Sequence, residues 1–343
     1  MLQVFYHHRF TEHLTGRGHP ERPARLAAFI EGLAQGGSAP DSFIAPTPLD
    51  RGALASVHDE PYLSLIERYC ESLQPGEVGE LPTGDTMVGH DSFEIALLAA
   101  GAAVSASERA RVDAPALGVT RPPGHHAEPA RGMGFCLLNN AALAAAHARA
   151  NGAVLIVDLD YHHGNGTQAW VEEAHARPGP PLGFISTHAY PAYPGTGAFD
   201  ESQVANNGFV IDIPLAHSTD TEDFVAVWST LLPATTRRIK PATIVVSAGF
   251  DFLAGDPIAG LPIDISAVDA LCGLIGQAGA DAGAGIALVL EGGYSLENLK
   301  ASGEALARSF GACSARTAVP AARVPADKRL AAMTAEALRW LVM

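Results

Sequence analysis

From about Pro115 onward, short apolar and often β-branched runs alternate with alanine-rich helical stretches, and this alternation constrains the fold more than any other feature of the chain. The runs at 116–120, 154–159, 182–187, 208–214, 243–248 and 286–290 read as strands. They are nearly continuously apolar, so both faces must be covered, and strands separated by helices pair in parallel. The intervening helices include 141–150, with Asn139 or Asn140 as N-cap and Asn151-Gly152 as its stop, 221–238 behind Thr219 or Asp220, and 265–278. The expectation is an α/β fold with a central parallel sheet between helices. There is no internal repeat, and the Pro/Gly-rich pieces 35–42 and 177–182 have loop length, so 1–343 reads as one domain. The first 110 residues are expected to add flanking helices and an entrance loop, and 327–343 a closing amphipathic helix.

In such a sheet a ligand site forms beyond the carboxyl ends of the strands. Chemistry-bearing residues stand there five times. Val119 leads to Arg121-Pro122-Pro123-Gly124-His125-His126, Val157 to Asp158 and onward to Gly166, Ile185 to Ser186-Thr187-His188, Val246 to Ser247 through Asp251, and Leu290 to Glu291-Gly292-Gly293-Tyr294. Asp158, Asp160 and His162 have period two, so in an extended segment they emerge on one side. Converging carboxylates and an imidazole are costly unless a cation sits among them, and zinc with an open position for water suits an Asp/His/Asp set. An isolated Asp-rich loop serves equally well for Asx turns or a helix cap. Here Asp251 ends a second strand and the pair His125-His126 a third. One of two adjacent histidines can be oriented by a carboxylate while the other moves protons. Two glycines before Tyr294 let backbone approach a ligand, where the phenol either donates to a developing oxyanion or is a half-buried aromatic with a solvated hydroxyl.

Charge narrows the partners. With 22 Lys+Arg against 37 Asp+Glu the net charge is −15, which repels polyphosphate and steers cationic substrates inward, so nucleic acid is not an expected partner. Cys70, Cys136, Cys272 and Cys313 form no CxxC pair, which speaks against a zinc ribbon or a disulfide framework and for a reducing cytoplasm. Residues 1–9 lack a basic segment followed by an apolar stretch, and the most apolar helical run, 95–104, is half a membrane span; no membrane association is expected. Lysine occurs only at Lys240, Lys300 and Lys328, a bias typical of a GC-rich bacterial genome. Self-association into a homo-oligomer stays open.

The motifs together carry a resemblance. Arg121 to Ala127, Gly134-Phe135-Cys136-Leu137-Leu138-Asn139-Asn140-Ala141, Asp158 through Gly166, Tyr193-Pro194-Gly195-Thr196-Gly197, Ser247 to Asp251 with Asp256-Pro257, and Glu291 to Tyr294 are similar to the motifs of the zinc-dependent histone deacetylase family. Its bacterial members include acetylpolyamine amidohydrolases and deacetylases close to the class II branch. The match runs in order from His19-Pro20-Glu21-Arg22-Pro23 and Val57-His58 to Tyr294. The resemblance implies the arginase/deacetylase fold, with a parallel sheet of about eight strands between helices, and one catalytic zinc held by Asp160, His162 and Asp251. It makes His126 the general base and then acid, and His125 its electrostatic neighbour oriented by Asp158. Asp158 also belongs, with backbone oxygens of Asp160 and His162 and with Ser186 and Thr187, to a structural potassium site. Tyr294 polarises the amide carbonyl. Phe135 and Tyr193 wall a substrate tunnel, with Gly134 and Gly293 beside it and Ile258 deeper in.

Two departures stand out. Asn165 lies behind His126 where class I enzymes have an aspartate, which implies a less basic His126, and Phe252-Leu253 follows Asp251 where many class II sequences have Ala-His. The acidic residue at the tunnel rim is one of Asp85, Glu77 and Glu80. A binuclear manganese ureohydrolase on this fold would need carboxylates two residues after His162 and two after Asp251, where Gly164 and Leu253 stand. A catalytically silent protein that holds acylated or cationic ligands would not need the full set of ligands, histidines and Tyr294. The sequence therefore points to a zinc amidohydrolase that removes acetyl or related acyl groups from amines such as acetyl-lysine side chains or acetylpolyamines.

Overall fold

The computed structural model describes residues 2–311 and 319–342. Its strands are Gln3–Phe5 (β1), Val78–Glu80 (β2), Met87–Gly89 (β3), Ala116–Gly118 (β4), Val154–Asp158 (β5), Leu182–Ala189 (β6), Gln203–Ala205 (β7), Gly208–Leu215 (β8), Thr243–Ala248 (β9) and Gly285–Leu290 (β10). Eight of them form one sheet in the order β1-β4-β10-β9-β5-β6-β8-β7, and β2 and β3 form a separate hairpin. All pairings in the large sheet are parallel except the edge pair β7-β8. Every residue of β5, β6, β8 and β10 is buried, the condition that the continuous apolar runs demanded. One core lies on the face that packs Phe29, Phe224, Trp228 and Leu271, the other on the face that packs Phe93, Leu143 and Trp170.

All six expected strands form, and the principal correction lies in the first 110 residues. They supply β1 at the sheet edge and the β2-β3 hairpin as well as helices. β1, β2, β3 and β7 have three residues each and lie in no longer apolar run of the kind that marked β4 at 116–120, so periodicity does not reveal them. The helices start where their caps allow. Asn139 accepts from the Ala142 N–H at 2.9 Å at the head of Asn140–Arg149, and Asp220 from the Asp223 N–H at 3.0 Å at the head of Thr221–Ile239. The third expected helix spans Ser266–Ala282, and the closing helix spans Lys328–Val342, with Trp340 stacked on Phe199 at 5.1 Å. Cys70, Cys136 and Cys272 are buried free thiols, and Cys313 lies outside the described residues. Among the described residues no helix is long and apolar enough to cross a membrane.

A buried ionic knot ties the N-terminal segment to the strand ends. Glu21 Oε1 accepts from Arg25 and from Arg121, each at 2.9 Å, with all three side chains fully buried. Arg121, just past β4, also donates to the carbonyls of Phe10 and His13 at 2.8 and 2.7 Å. Arg25 donates to the Gly293 carbonyl at 2.6 Å and to that of Glu291, past β10. Burial alone would raise the Glu21 carboxyl, but the Arg121 and Arg25 guanidiniums outweigh it and hold it below the usual range. Removing the charge leaves two guanidiniums buried without their counter-ion, so Glu21→Gln should cost about 3 to 5 kcal/mol of stability. Because the folded-state pKa is the lower one, this contribution is full above the unfolded value of about 4.3 and fades as the pH falls. Urea midpoints should therefore differ widely at neutral pH and converge in acid; equal midpoints at neutral pH would refute the knot.

Candidate active site

β5 and β9 lie side by side at the centre of the sheet, and the loops that leave them bring Asp160 and His162 together with Asp251. One potential ligand atom from each of the three lies within 4.8 Å of the others. His162 Nδ1 is 3.2 Å from Asp160 Oδ1 and 3.0 Å from Asp251 Oδ2. The remaining carboxylate valences are taken by backbone: Asp251 Oδ1 accepts from the Tyr161 N–H, Asp160 Oδ1 from the His162 N–H and Asp160 Oδ2 from the Gly292 N–H, all at 2.9 Å. Side-chain atoms on Gly249 or Gly292 would collide with these carboxylates, so both glycines are part of the cradle.

The donor set suits a divalent cation. Burial would lower the pKa of His162, yet hydrogen bonds to Asp160 and Asp251 reverse this and raise it to about 10. Burial, and then repulsion from Asp160, pushes Asp251 above the carboxylate range. Two buried carboxylates that must share one imidazolium are poorly compensated, and a metal with one nitrogen and two oxygen ligands removes the conflict. The positions a second metal would need carry the buried apolar Leu253 and Gly164, with no donor.

His125 and His126 follow β4, their rings 4.0 Å apart. His125 Nδ1 lies 3.2 Å from Asp158 Oδ2, and His126 Nδ1 lies 2.8 Å from Asn165 Oδ1. Their environments push them apart. Burial disfavours charge on His125, but Asp160 and Asp158 prevail and raise it to about 10. His126 is driven well below the usual histidine range by burial, then by His125 and His162. Glu291, pushed up to about 7 by burial, accepts from the N–H groups of Gly124 and His125 at 2.6 and 3.2 Å and so holds the loop that carries both rings.

Above these residues lies a cavity of about 200 Å³ lined by Asp85, His126, Gly134, Phe135, His162, Tyr193, Ile258 and Tyr294. It has room for one unbranched chain rather than a drug-sized ligand. Phe135 meets Tyr294 edge-on at 6.0 Å, and Tyr193 meets His126 at 5.1 Å. Gly134 and Phe135 have φ of 57° and 68°; the glycine leaves space for the His126 ring, and the phenylalanine accepts a strained backbone to face the cavity. Tyr294 is held on three sides: its N–H donates to Asp256 Oδ2 at 2.7 Å, Arg25 grips the preceding carbonyl, and the same guanidinium lies 4.9 Å from its ring centre. Burial keeps the phenol far above its usual range, so it remains a donor.

Not every expected position is where the sequence put it. Ile258, expected deeper in the tunnel, is 44% exposed and belongs to the mouth, because Asp256 Oδ1 draws the Ile258 N–H to 3.1 Å and turns the loop outward. Gly293 does not line the cavity; at φ 114° it supports the tyrosine loop from behind. Of the three acidic rim candidates only Asp85 reaches the cavity, where it accepts from the Gly134 N–H at 2.8 Å. Glu77 instead accepts from the Gln74 N–H at 2.8 Å, and Glu80 is exposed on β2. Asp158 is the register partner of Ser186, with Thr187 the next residue on β6. The sequence reading left Arg25, Glu128 and Glu291 without a role, together with a buried group, His163, His188 and Asp212, whose ligand atoms also cluster within 4.8 Å. The nitrogens of that group already bond Thr196, Gln168, Ser186 and the Gly197 carbonyl at 2.7 to 2.9 Å, and thereby clamp the loop that carries Tyr193.

The chain is similar to known proteins. The histone deacetylase domain matches residues 19–310. Histone deacetylase 14, chloroplastic, of Arabidopsis thaliana is 34% identical over 308 residues, 83% of this chain and 71% of that protein. An acetylpolyamine amidohydrolase of Burkholderia pseudomallei is 32% identical over 327 residues, covering 85% of this chain and 91% of its own. The crystal structure of the HDA15 HD domain superposes with a TM-score of 0.82 at 29% identity, over 99% of this chain and 96% of that one. With its central sheet, its converging strand-end residues and these likenesses, the chain belongs to the histone deacetylase family and is an amide deacetylase.

Proposed function

We propose that the described residues build one catalytic unit that hydrolyses acetylated amines with a single zinc ion held by Asp160, His162 and Asp251. The observation that carries this reading is the convergence of these three side chains, with His162 lining a narrow cavity whose walls also present His126 and Tyr294. When bound there, zinc supplies Lewis acidity towards the carbonyl and lowers the pKa of a coordinated water. The chain's own part follows from its geometry. The acyl chain enters between Phe135 and Tyr193, and the Tyr294 hydroxyl donates to the carbonyl oxygen as negative charge develops on it. His126, neutral in its setting, takes the proton of the attacking water and returns it to the departing amine. His125, paired with Asp158, keeps its charge and steadies the centre electrostatically. The products are a carboxylate and a free amine.

A structural potassium ion near Asp158 is part of the same proposal. Thr187 Oγ1 and Ser247 Oγ are buried there with no hydrogen-bond partner among the described residues, which is the oxygen-rich surplus that such an ion would use. The free buried thiols accord with a reducing, cytoplasmic setting. The charge of −15 and the Asp85 carboxylate at the cavity favour a cationic substrate, either an acetylpolyamine or an acetyl-lysine in a basic peptide.

Three outcomes are expected. Purified protein should release acetate from an acetyl-lysine peptide or an acetylpolyamine, lose activity to a chelator and regain it with zinc, whereas Asp160→Ala and Asp251→Ala should lose zinc and activity together. Full zinc occupancy in both variants by elemental analysis would rule out the ligand set. Tyr294→Phe should keep zinc and hydroxamate binding while kcat falls by roughly 10²- to 10³-fold, the effect of one lost oxyanion donor; an unchanged kcat on an unactivated acetyl substrate would remove Tyr294 from the mechanism. Asp85→Asn should raise KM for acetylspermidine or a basic acetyl-lysine peptide about three- to tenfold, more at low salt than at high, with kcat little changed. A KM insensitive to both the substitution and salt would dismiss Asp85 as the cation-recruiting group.

A further inference from the structure

We propose that Glu128 is a positioning residue for the deacetylation: it orients the Asn165 amide and thereby sets which ring nitrogen of His126 carries a proton. This rests on the reading of His126 as the residue that moves protons. An asparagine amide has a donor end and an acceptor end of nearly equal size, and a half-turn exchanges them. If the NH₂ end faced His126, Nδ1 would have to accept, the neutral ring would carry its proton on Nε2, and the nitrogen needed as a base would become a donor.

The surroundings of Asn165 decide the matter. Its Nδ2 donates to Glu128 Oε1 at 2.7 Å and to Met133 Sδ at 3.4 Å. A carboxylate and a thioether only accept, so this end of the amide must be the NH₂ group. Oδ1 then faces His126 Nδ1 at 2.8 Å and accepts its proton. Nε2, which has no protein partner among the described residues, keeps its lone pair. Glu128 is itself secured. Its carbonyl accepts from His58 Nδ1 at 3.1 Å, while His58 Nε2 accepts the Asn139 N–H at 2.9 Å. Its N–H donates to the Arg131 carbonyl at 2.8 Å, and the neighbouring Pro129 carbonyl accepts from Asp59 at 2.9 Å. His125 needs no such second residue, because the Asp158 carboxylate behind it has no wrong end.

The pairing makes a prediction with a sign reversal. Glu128→Ala should lower kcat about 10- to 10²-fold with KM and zinc content little changed. Asn165→Asp should also lower kcat, since it sets two carboxylates against each other. In the Asn165→Asp background, however, Glu128→Ala should raise kcat, because an aspartate needs no orienting and the repulsion is gone. Glu128→Gln, which retains an acceptor oxygen, should be closer to wild type than the alanine variant. Independently of turnover, ¹⁵N shifts of the His126 ring, assigned by their loss in His126→Ala, should report an Nδ1–H tautomer in wild type and gain Nε2–H character in Glu128→Ala. A Glu128→Ala protein with wild-type kcat and an unchanged nitrogen signature overturns the proposal, as does a loss of the same size in both backgrounds. An inactive wild type would instead remove the deacetylase reading, with the ¹⁵N result still deciding whether Glu128 orients the pair.

Discussion

Two carboxylates, Asp160 and Asp251, are pressed against one imidazole in the interior of the protein, beyond the ends of two adjacent central strands. Away from water such a group is tolerable only if its charge is answered. The nearby structure supplies part of that answer. Three backbone N–H groups point at the carboxylates, two glycines leave room for their oxygens, and the protonated forms of His125 and His162 are favoured. The remainder is a charge that a cation would answer, as the proposed zinc would. The rigidity of the parallel sheet makes this possible, because side chains on strand ends keep their spacing without help from a substrate.

Around this centre the charges are graded rather than uniform. His125 sits against a carboxylate and is held cationic; His126, one residue on, sits against an amide and is held neutral. Separation of two like groups by environment is what assigns distinct roles in acid–base chemistry. Tyr294 is kept a phenol by burial and kept in place by Arg25 and Asp256, so its hydroxyl on one side of the cavity is as firmly set as the His126 ring on the other. The ionic knot of Glu21, Arg25 and Arg121 therefore serves both stability and the site: the guanidinium that neutralises Glu21 also holds the loop in front of Tyr294.

Much of this was legible in the residues. The buried strands had to be nearly continuous apolar runs, and chemistry-bearing residues stood where those runs stopped, so Asp160, His162, Asp251, His125, His126 and Tyr294 could be singled out from the residues alone, and the fold brings them together. The three-residue strands β1, β2, β3 and β7, which lie in no longer apolar run, gave no such signal. Arg25 and Glu128 were equally hidden, since each looks like an ordinary surface charge until the chain folds it against a partner more than thirty residues away. Ile258 was misjudged in depth because a loop's direction depends on the Asp256 hydrogen bonds that turn it.

What the sequence determined by itself was the set of groups and their local spacing: period two after one strand, two adjacent histidines after another, two glycines before a tyrosine. These are properties of neighbouring residues, and the covalent chain dictates them. Only the tertiary structure decided which ends meet. It brought Asp251 to His162 across 89 positions, chose Asp85 over Glu77 and Glu80 as the acid at the cavity, and set a carboxylate behind the amide that backs His126. Such choices depend on how strands order themselves in the sheet and how loops are tied down, and those are settled by burial and hydrogen bonding over distances that no local pattern records.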